Sequence, residues 1–494
     1  MSAGLGAAVV AGLREAGSRE VLVRGDRRLT GEEVLAMVAT ATARLTAAGV
    51  RPGDTVACLY GSELESPIGR VVALALGLRY VHVLRGVPVT VAGQVMRTLR
   101  TSALLYEPSR GDEVAALLEA CPVPIVRGLD ADLFGPPREG VVTAPDLGDS
   151  PEIAWVTFSS GSTGERKAVA YEHRAEAAQY RVARAVFGRE RWRLLVIPLP
   201  RYLPDVFVLW ALASGGTAIL EPDGRPERLA DVAERENVTH LMAGCPAELY
   251  ELADHLETRP ADPPDLRLVI YGGAGPVPSR GARAARRLGA VLMQTYGTSE
   301  GGLLTSLGPR DHARPDLLAS VGRAVPGVEL RIRGKDGADL PSEAVGEIWV
   351  RTDQRMRGYV DAAIGTAPVT GDGWVRTGDL GHLDSSGYLF LLGRTEEGLP
   401  EGLHSRPIED VLTGHPAVMG AAVFAVPGPA GPVLEGAVVA REGQRPDLDE
   451  LRGLVRASLG HDHEPRRLHL VDEIPCGPSG KPNKPALTSR FTHP

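Results

Sequence analysis

Helix-type and strand-type hydrophobic patterns alternate along most of the chain. Residues 31–48 carry apolar side chains at spacings of three and four, and Thr30 with Glu33 forms a capping-box pattern, which predicts a helix. Short apolar runs bounded by turn residues predict strands at 55–60, 154–158, 193–197 and 267–271. Such alternation predicts an α/β fold in which helices cover mixed, largely parallel sheets.

The pattern changes in the last third of the chain. Closely spaced strand-like segments with Gly and Asp turns fill residues 322–394 and predict an antiparallel, barrel-like subdomain. A polar, glycine-rich stretch follows, and then a new mixture of helix and strand patterns. We therefore predict a large N-terminal domain of two helix-covered sheets and a barrel-like part, residues 1–394, and a small C-terminal α+β domain, residues 395–494.

Composition and charge exclude several classes of protein. The 494 residues are 43% hydrophobic and 23% charged, as expected for a globular protein of several domains. A net charge of -8 without a basic run gives no support for a nucleic-acid partner. The four cysteines are far apart, which argues against a disulfide scaffold, and no apolar stretch is long enough to cross a membrane. We expect a cytoplasmic protein without nucleic-acid or membrane partners.

A glycine- and hydroxyl-rich segment directly follows the strand predicted at 154–158. Residues 159–167 read Ser-Ser-Gly-Ser-Thr-Gly-Glu-Arg-Lys. Backbone amides of such a loop can approach a phosphate closely, hydroxyls add donors and the lysine adds charge. The Walker pattern G-x-x-x-x-G-K-[ST] is absent. The segment therefore predicts a phosphate-binding loop of another kind, and the strand before it argues against a plain surface loop.

This loop resembles the signature of the acyl-adenylating superfamily, which includes acyl-CoA synthetases, amino-acid and aryl-acid adenylation enzymes and luciferases. Further segments agree with that family in the same order, and they are 271–274, 296–300, 346–359, 376–394 and 475–481. The resemblance covers nearly the whole chain. It implies that a carboxylic acid attacks ATP to give acyl-AMP and pyrophosphate, after which the small domain rotates and the acyl group passes to an acceptor.

The resemblance also implies roles for individual residues. Lys481 would bridge the acid and the α-phosphate, Glu300 would hold Mg²⁺ and Thr163 would act in catalysis, with Lys484 as a second-ranked alternative to Lys481. Glu396 would be the hinge. The residues expected to bind ATP are Ser159, Ser160, Gly161, Ser162, Thr163, Gly164, Lys167, Gly272, Gly273, Ala274, Tyr296, Gly297, Ser299, Asp379 and Arg394. A glutamate at a helix start and an aspartate in a turn are the alternatives for Glu300 and Asp379.

Two regions depart from the family pattern and leave the substrates open. The resemblance implies that the acceptor of the acyl group is the thiol of CoA or of a carrier protein. Residues 397–407 lack the lysine that the family usually has there and are about two residues shorter, so an amine acceptor is the alternative. Arg201 and Asp205 are predicted to line the acid pocket, unless they are solvated loop residues. We expect a small polar or aromatic acid.

One pattern points to a different class of enzyme. Residues 297–301 read Gly-Thr-Ser-Glu-Gly, which matches the nucleophile elbow of serine hydrolases with Ser299 as the nucleophile. A five-residue pattern recurs by chance, and this one stands where the adenylating family has its own motif. A catalytically inactive relative is a further alternative, against which the retained motif residues argue.

Overall fold

The computed structural model describes residues 4–136, 140–159, 166–197, 202–258, 266–360, 369–429, 431–476 and 482–492, apart from the side chains of 202–204. The helices of these ranges are α1 (Leu5–Ala16), α2 (Gly31–Ala47), α3 (Glu65–Leu76), α4 (Val89–Thr98), α5 (Gly111–Ala120), α6 (Ala131–Phe134), α7 (His173–Phe187), α8 (Tyr202–Ala213), α9 (Pro226–Arg235), α10 (Pro246–Thr258), α11 (Pro278–Leu288), α12 (Ser405–Gly414), α13 (Leu448–Leu459) and α14 (Lys484–Phe491). The strands are β1 (Glu20–Arg24), β2 (Arg27–Thr30), β3 (Thr55–Leu59), β4 (Arg79–Val83), β5 (Thr101–Tyr106), β6 (Ile125–Gly128), β7 (Ile153–Ser159), β8 (Lys167–Glu172), β9 (Arg193–Val196), β10 (Thr217–Leu220), β11 (His240–Ala243), β12 (Leu268–Gly272), β13 (Leu292–Thr298), β14 (Gly302–Leu307), β15 (Arg323–Ala324), β16 (Val328–Arg333), β17 (Gly346–Thr352), β18 (Gly358–Tyr359), β19 (Trp374–Leu383), β20 (Leu389–Arg394), β21 (Val418–Gly428), β22 (Gly431–Ala440) and β23 (Arg467–Leu470).

Two large mixed sheets form the first two thirds of the molecule. One has the order β15-β14-β13-β12-β11-β9-β10-β1-β2 and the other the order β18-β8-β7-β4-β3-β5-β6. Their central strands pair in parallel, while the edge strands β2, β8, β14, β15 and β18 pair antiparallel with their neighbours. This confirms the predicted class of fold. The helix predicted at 31–48 is α2, and its capping box is present between Thr30 and Glu33.

Helices α1, α3, α7 and α8 contribute to the largest apolar core, which also contains side chains of both large sheets. Helix α8 is apolar on nearly all sides, a composition typical of a buried helix. All of its described side chains from 205 to 212 are buried. A polar side chain on such a helix has no access to water, so it needs a partner within the protein.

A four-stranded antiparallel sheet with the order β16-β17-β19-β20 forms the segment predicted to be barrel-like. Its core consists of apolar side chains that alternate along the strands, among them Ile348, Val350, Val375 and Leu389. The antiparallel pairing was predicted. Backbone hydrogen bonds of Leu389 with residues 321–322 connect the sheet to the chain just before β15.

The chain after β20 forms a separate sheet, β21-β22-β23, which packs with α12, α13 and α14. We call these elements the C-terminal unit. Its apolar core includes Ile408, Leu412, Val438 and Leu451. The domain boundary at 394–395 falls between the end of β20 and a short 3-10 turn, Thr395–Glu397, and it stays a prediction. Among the helices of the described ranges, none has both the length and the hydropathy that a bilayer crossing requires.

Candidate active site

Two paired strands flank the predicted phosphate loop. Strand β7 ends at Ser159 and β8 begins at Lys167, and these two residues are register partners in an antiparallel pair. The Ser159 hydroxyl donates to the Lys167 carbonyl over 3.4 Å. The sequence predicted the first strand and not the second. The loop residues between these two strands fall outside the described residues, and they include Ser160, Gly161, Ser162, Thr163 and Gly164.

Lys167 and Glu300 lie on either side of one tyrosine. The Lys167 ammonium is 5.3 Å from the ring centroid of Tyr359, and the Tyr359 hydroxyl donates to Glu300 Oε1 over 3.0 Å. Burial and then the charge of Glu300 raise the pKa of Tyr359. Glu300 stands in the turn between β13 and β14, so its interpretation as a residue at a helix start is wrong. A cation at the start of β8 and a carboxylate thus contact the same tyrosine.

Asp379 lies between two donors that come from different strands. The Tyr296 hydroxyl donates to Asp379 Oδ2 over 2.7 Å, and Arg394 Nε lies 3.1 Å from Oδ1. Burial and the charge of Asp379 raise the pKa of Tyr296 well above its usual value. Burial by itself would lower the pKa of Arg394, but the carboxylates of Asp379 and Glu300 raise it. We call Asp379, Tyr296 and Arg394 the Asp379 cluster.

A glycine-containing segment follows β12 and passes close to β13. We call residues 272–277 the strand-end loop. A Cβ atom on Gly272 would lie 2.4 Å from the Thr295 carbonyl oxygen, and Gly273 has a φ of +79°, so both positions favour glycine. A Cβ atom on Gly297 would lie 2.3 Å from the Gly302 carbonyl oxygen. These glycines let the strand ends approach one another beside the Asp379 cluster.

Comparison with known proteins decides the family. The chain matches the model of the AMP-binding enzymes over residues 11–360, and that of their C-terminal domain over residues 407–481. The chain belongs to the AMP-binding enzyme family. It is an AMP-forming ligase of the acyl-adenylating superfamily.

Three similar proteins align with this AMP-binding enzyme over nearly its whole length. A feruloyl-CoA synthase from an Amycolatopsis species is 30% identical over 502 residues, which cover 99% of each chain. The amide bond synthetase McbA from Marinactinospora thermotolerans is 37% identical, with a TM-score of 0.90 over 99% of this chain and all of that one. The o-succinylbenzoate coenzyme A synthetase from Bacillus subtilis, solved with ATP and magnesium, is 22% identical, with a TM-score of 0.84 over 97% of this chain and 99% of that one, and it shows the same fold.

Asp205 of this AMP-binding enzyme lies in a buried ionic group. Arg70 Nη1 donates to Asp205 Oδ2 over 3.1 Å, and Arg70 Nη2 donates to Glu176 Oε1 over 2.6 Å. Asp205 is 1% exposed and stands on helix α8, so its interpretation as a solvated loop residue is wrong. That it contacts the substrate stays a prediction. Arg201 lies outside the described residues.

His82 completes this group, which we call the buried cluster: Arg70, His82, Glu176 and Asp205. His82 Nδ1 lies 3.7 Å from Asp205 Oδ2. Burial, and then the charge of Arg70, lower the pKa of His82 well below its usual value, so the imidazole is neutral at pH 7. Burial raises the pKa of Asp205, although Arg70 opposes this. The sequence did not predict the cluster, although one signal was present: Arg70 stands in the middle of helix α3 among residues that are mostly apolar.

The second-ranked catalytic lysine, Lys484, is held inside the C-terminal unit. Its ammonium lies 2.7 Å from Glu397 Oε1 and 3.0 Å from Glu409 Oε1. Ser405 donates to the other oxygen of Glu397 over 2.6 Å. Lys484 therefore connects Glu397, in the turn that contains Glu396, to helix α12, and a role for it in catalysis stays a prediction. Lys481 lies outside the described residues.

The surroundings of Ser299 do not fit a hydrolase. A nucleophile elbow is a sharp turn between a strand and a helix. Ser299 instead stands in the turn between the antiparallel strands β13 and β14, and its carbonyl accepts a hydrogen bond from the Tyr171 hydroxyl. The serine hydrolase alternative is therefore not supported.

Proposed function

We propose that this enzyme adenylates a small aromatic carboxylic acid and then transfers the acyl group to an amine, which forms an amide. The full-length similarity to the amide bond synthetase, at 37% identity, carries this proposal. The segment 397–407 supports it, since it lacks the lysine expected of enzymes that form thioesters. In this segment Glu397 is already engaged by Lys484 and Ser405.

The described residues fit a bound ATP. An ionised aspartate accepts several hydrogen bonds, so Asp379 suits the two ribose hydroxyls, with Tyr296 and Arg394 to keep its carboxylate in place. Gly272, Gly273 and Ala274 would lie against the adenine, where the absence of side chains on the glycines leaves room. Ser159 and Lys167 would contact the phosphates together with Ser160 to Gly164.

Glu300 fits a magnesium ion. Mg²⁺ prefers oxygen ligands and is usually held by one or two carboxylates together with phosphate oxygens. The Tyr359 hydroxyl fixes the orientation of the Glu300 carboxylate, which therefore needs little rearrangement to accept the ion. When bound, the ion would neutralise charge on the phosphates.

The first step would form one P–O bond and break another. A carboxylate oxygen of the acid attacks the α-phosphorus, and pyrophosphate leaves with the electrons of the broken bond. Lys481 would place its positive charge between the two reactants, and Thr163 would add a donor to the phosphates. In the second step an amine attacks the acyl carbonyl, AMP leaves and the amine loses a proton.

We further propose that residues 1–394 and 395–494 are the two domains of this cycle. Glu396 would be the hinge, since it stands in the short turn between β20 and α12. Arg201 and Asp205 would lie at the acid pocket. We also propose a cytoplasmic location, which the wide spacing of the four cysteines favours.

A thiol acceptor is the second candidate. The feruloyl-CoA synthase is similar over 99% of both chains, which favours CoA or a carrier-protein thiol. The two candidates share the first step and differ only in the nucleophile. They are therefore separable by experiment.

A panel of aromatic and aliphatic acids tests the proposal. Each acid is incubated with MgATP, pyrophosphate release is measured, and the reaction is repeated with an amine or with CoA. We expect pyrophosphate release with aromatic acids, and we expect mass spectrometry to detect an amide when the amine is present. A thioester without an amide would replace our proposal by the second candidate. If no acid released pyrophosphate above the background of a Lys481→Ala variant, the adenylation itself would be refuted.

A further inference from the structure

Arg406 of the C-terminal unit contacts the strand-end loop of the large sheet. It stands in the first turn of α12, just after the proposed hinge, and its Nη2 donates to the Pro276 carbonyl. The same nitrogen lies 2.6 Å from Asp410 Oδ1, one helical turn further on. Arg406 and Asp410 are both largely covered, with side chains 19% and 20% exposed. The guanidinium is therefore oriented within its own helix before it reaches the loop.

Gly275 provides the room for this contact. A Cβ atom on Gly275 would lie 2.4 Å from both Cζ and Nη1 of Arg406. The third nearest atom is Nε of the same side chain, at 2.7 Å, so the guanidinium takes the space that a side chain would fill. The end of an arginine side chain is flexible and can move away. A methyl group at this position would displace the guanidinium and leave the backbone of the loop in place.

The large domain holds the loop at the residue that follows Pro276. The backbone N–H of Val277 donates to the Tyr250 hydroxyl over 2.9 Å, and that hydroxyl lies 3.3 Å from the Val277 carbonyl. Residues 272–274, which we assigned to the adenine, thus lie a few residues from two anchors. One anchor, Tyr250, belongs to the large domain, and the other, Arg406, moves with the C-terminal unit.

We propose that Arg406 is a positioning residue that couples the orientation of the C-terminal unit to the loop that contacts the adenine. This inference rests on the proposed two-step function. Because the two steps use different orientations, the contact between Arg406 and Pro276 exists in one of them. Its loss slows the step performed in the present orientation and leaves the other step unchanged.

Two variants remove the contact from opposite sides. Arg406→Ala removes the guanidinium, and Gly275→Ala displaces it. Since both act on one contact, the double variant is expected to be no worse than the more impaired single variant. Arg406→Lys keeps the positive charge but loses the planar guanidinium that contacts both Pro276 and Asp410. Its rate should therefore lie between those of Arg406→Ala and the wild type. Arg445→Ala, at an exposed arginine of the same unit, is the matched control.

The two half-reactions are measured separately, as acid-dependent pyrophosphate exchange and as consumption of added acyl-AMP by the acceptor. We expect either single variant to slow one of them by about tenfold at saturating substrates, and to change the other by less than about twofold. Equal losses in both steps would indicate a structural defect and overturn the proposal. Unchanged rates, or additive effects in the double variant, would overturn it as well.

Hydrogen exchange provides a readout that does not depend on activity. Both single variants should increase deuterium uptake in the peptides that contain residues 272–277 and 405–414, relative to Arg445→Ala. Unaltered uptake in both peptides would refute the contact itself. If the variants changed deuterium uptake as expected but the wild-type enzyme adenylated no acid, the proposed function would be refuted and the contact would not. The two failures are therefore distinguishable.

Discussion

Two arginine–aspartate contacts of this enzyme have the same length and very different surroundings. Arg394 and Asp379 are 3.1 Å apart, with side chains 39% and 17% exposed. Arg70 and Asp205 are also 3.1 Å apart, with side chains 2% and 1% exposed. The distance between charged atoms therefore does not reveal the role of such a pair. The exposure of the two side chains to water and ligand distinguishes the two roles.

Physical chemistry assigns the two pairs to different tasks. An exposed ion pair contributes little to stability, because water screens it and solvates each partner when they separate. The Asp379 carboxylate, held by Tyr296 and Arg394 at a partly exposed position, can therefore accept further hydrogen bonds from a ligand at little cost in stability. A buried pair is costly to break, because the remaining charge stays in the protein without compensation. We expect the buried cluster to act on folding and the Asp379 cluster to act on ATP.

The largest expected effect is the loss of the arginine in the buried cluster. Arg70→Met removes the guanidinium that donates to both Asp205 and Glu176, and it leaves two buried carboxylates. We expect the free energy of unfolding to fall by about 3–5 kcal/mol. Urea denaturation at pH 7 measures it. Arg394→Met is the matched control, with an expected loss below about 1 kcal/mol, and equal losses in the two variants would contradict the comparison.

The next effect concerns the carboxylate of the Asp379 cluster. Asp379→Ala should lower kcat/KM for ATP by about 100-fold, because hydrogen bonds from ribose hydroxyls to a charged acceptor are worth about 1.5–3 kcal/mol each. Stability should change by less than about 1 kcal/mol. Pyrophosphate exchange at varied ATP concentration measures the first quantity and urea denaturation the second.

A neighbouring ion pair provides the control for this variant. Glu347 lies 2.9 Å from the exposed Arg376 on the same sheet, so Glu347→Ala changes a similar surface charge without touching the Asp379 cluster. It should leave kcat/KM for ATP unchanged. A loss of ATP affinity of similar size in Glu347→Ala would mean that general surface charge, and not Asp379, controls nucleotide binding.

The two clusters also differ in how far the sequence predicted them. Asp379 and Arg394 are 15 positions apart on strands whose pairing the motif pattern implied, and they are register partners. Arg70 is 135 positions from Asp205 and 106 from Glu176, so no local pattern connects them. The helix predicted at 31–48 and the four strands predicted in the first 271 residues lie within one residue of α2, β3, β7, β9 and β12, because hydrophobic periodicity is local. The role of Asp205 was not predicted, because it depends on which distant helix packs against α8.

A smaller effect follows from the neutral imidazole of the buried cluster. The folded-state pKa of His82 is depressed, so below about pH 6.5 the unfolded chain binds a proton that the folded chain does not. Stability contributed by this group is present above pH 6.5 and declines as the pH falls toward the folded pKa. The slope should approach about 1.4 kcal/mol per pH unit.

Urea denaturation between pH 6.5 and 5.5 measures this slope. Arg70, Arg110 and Asp205 face the imidazole and remain in a His82→Phe variant, which keeps an aromatic ring next to Tyr60. The difference between the slopes of wild type and variant isolates His82 from the other titrating groups. If the two slopes were the same, the imidazole would be protonated in the folded state, and the cluster would carry a further positive charge.

The smallest effects come from Tyr296 of the Asp379 cluster and from Tyr60, which lies next to His82 of the buried cluster, and they should separate stability from binding most cleanly. Tyr296→Phe removes one donor to Asp379 while Arg394 remains, so KM for ATP should rise by about fivefold with little change in stability. Tyr60 lies next to His82 and lowers the pKa of Asp205, so it favours the charged carboxylate, and Tyr60→Phe should cost about 1 kcal/mol of stability. Both variants lose one hydroxyl beside a carboxylate, and only its surroundings differ. Reversed outcomes, with Tyr60→Phe impaired in ATP binding and Tyr296→Phe in folding, would show that burial does not assign these tasks.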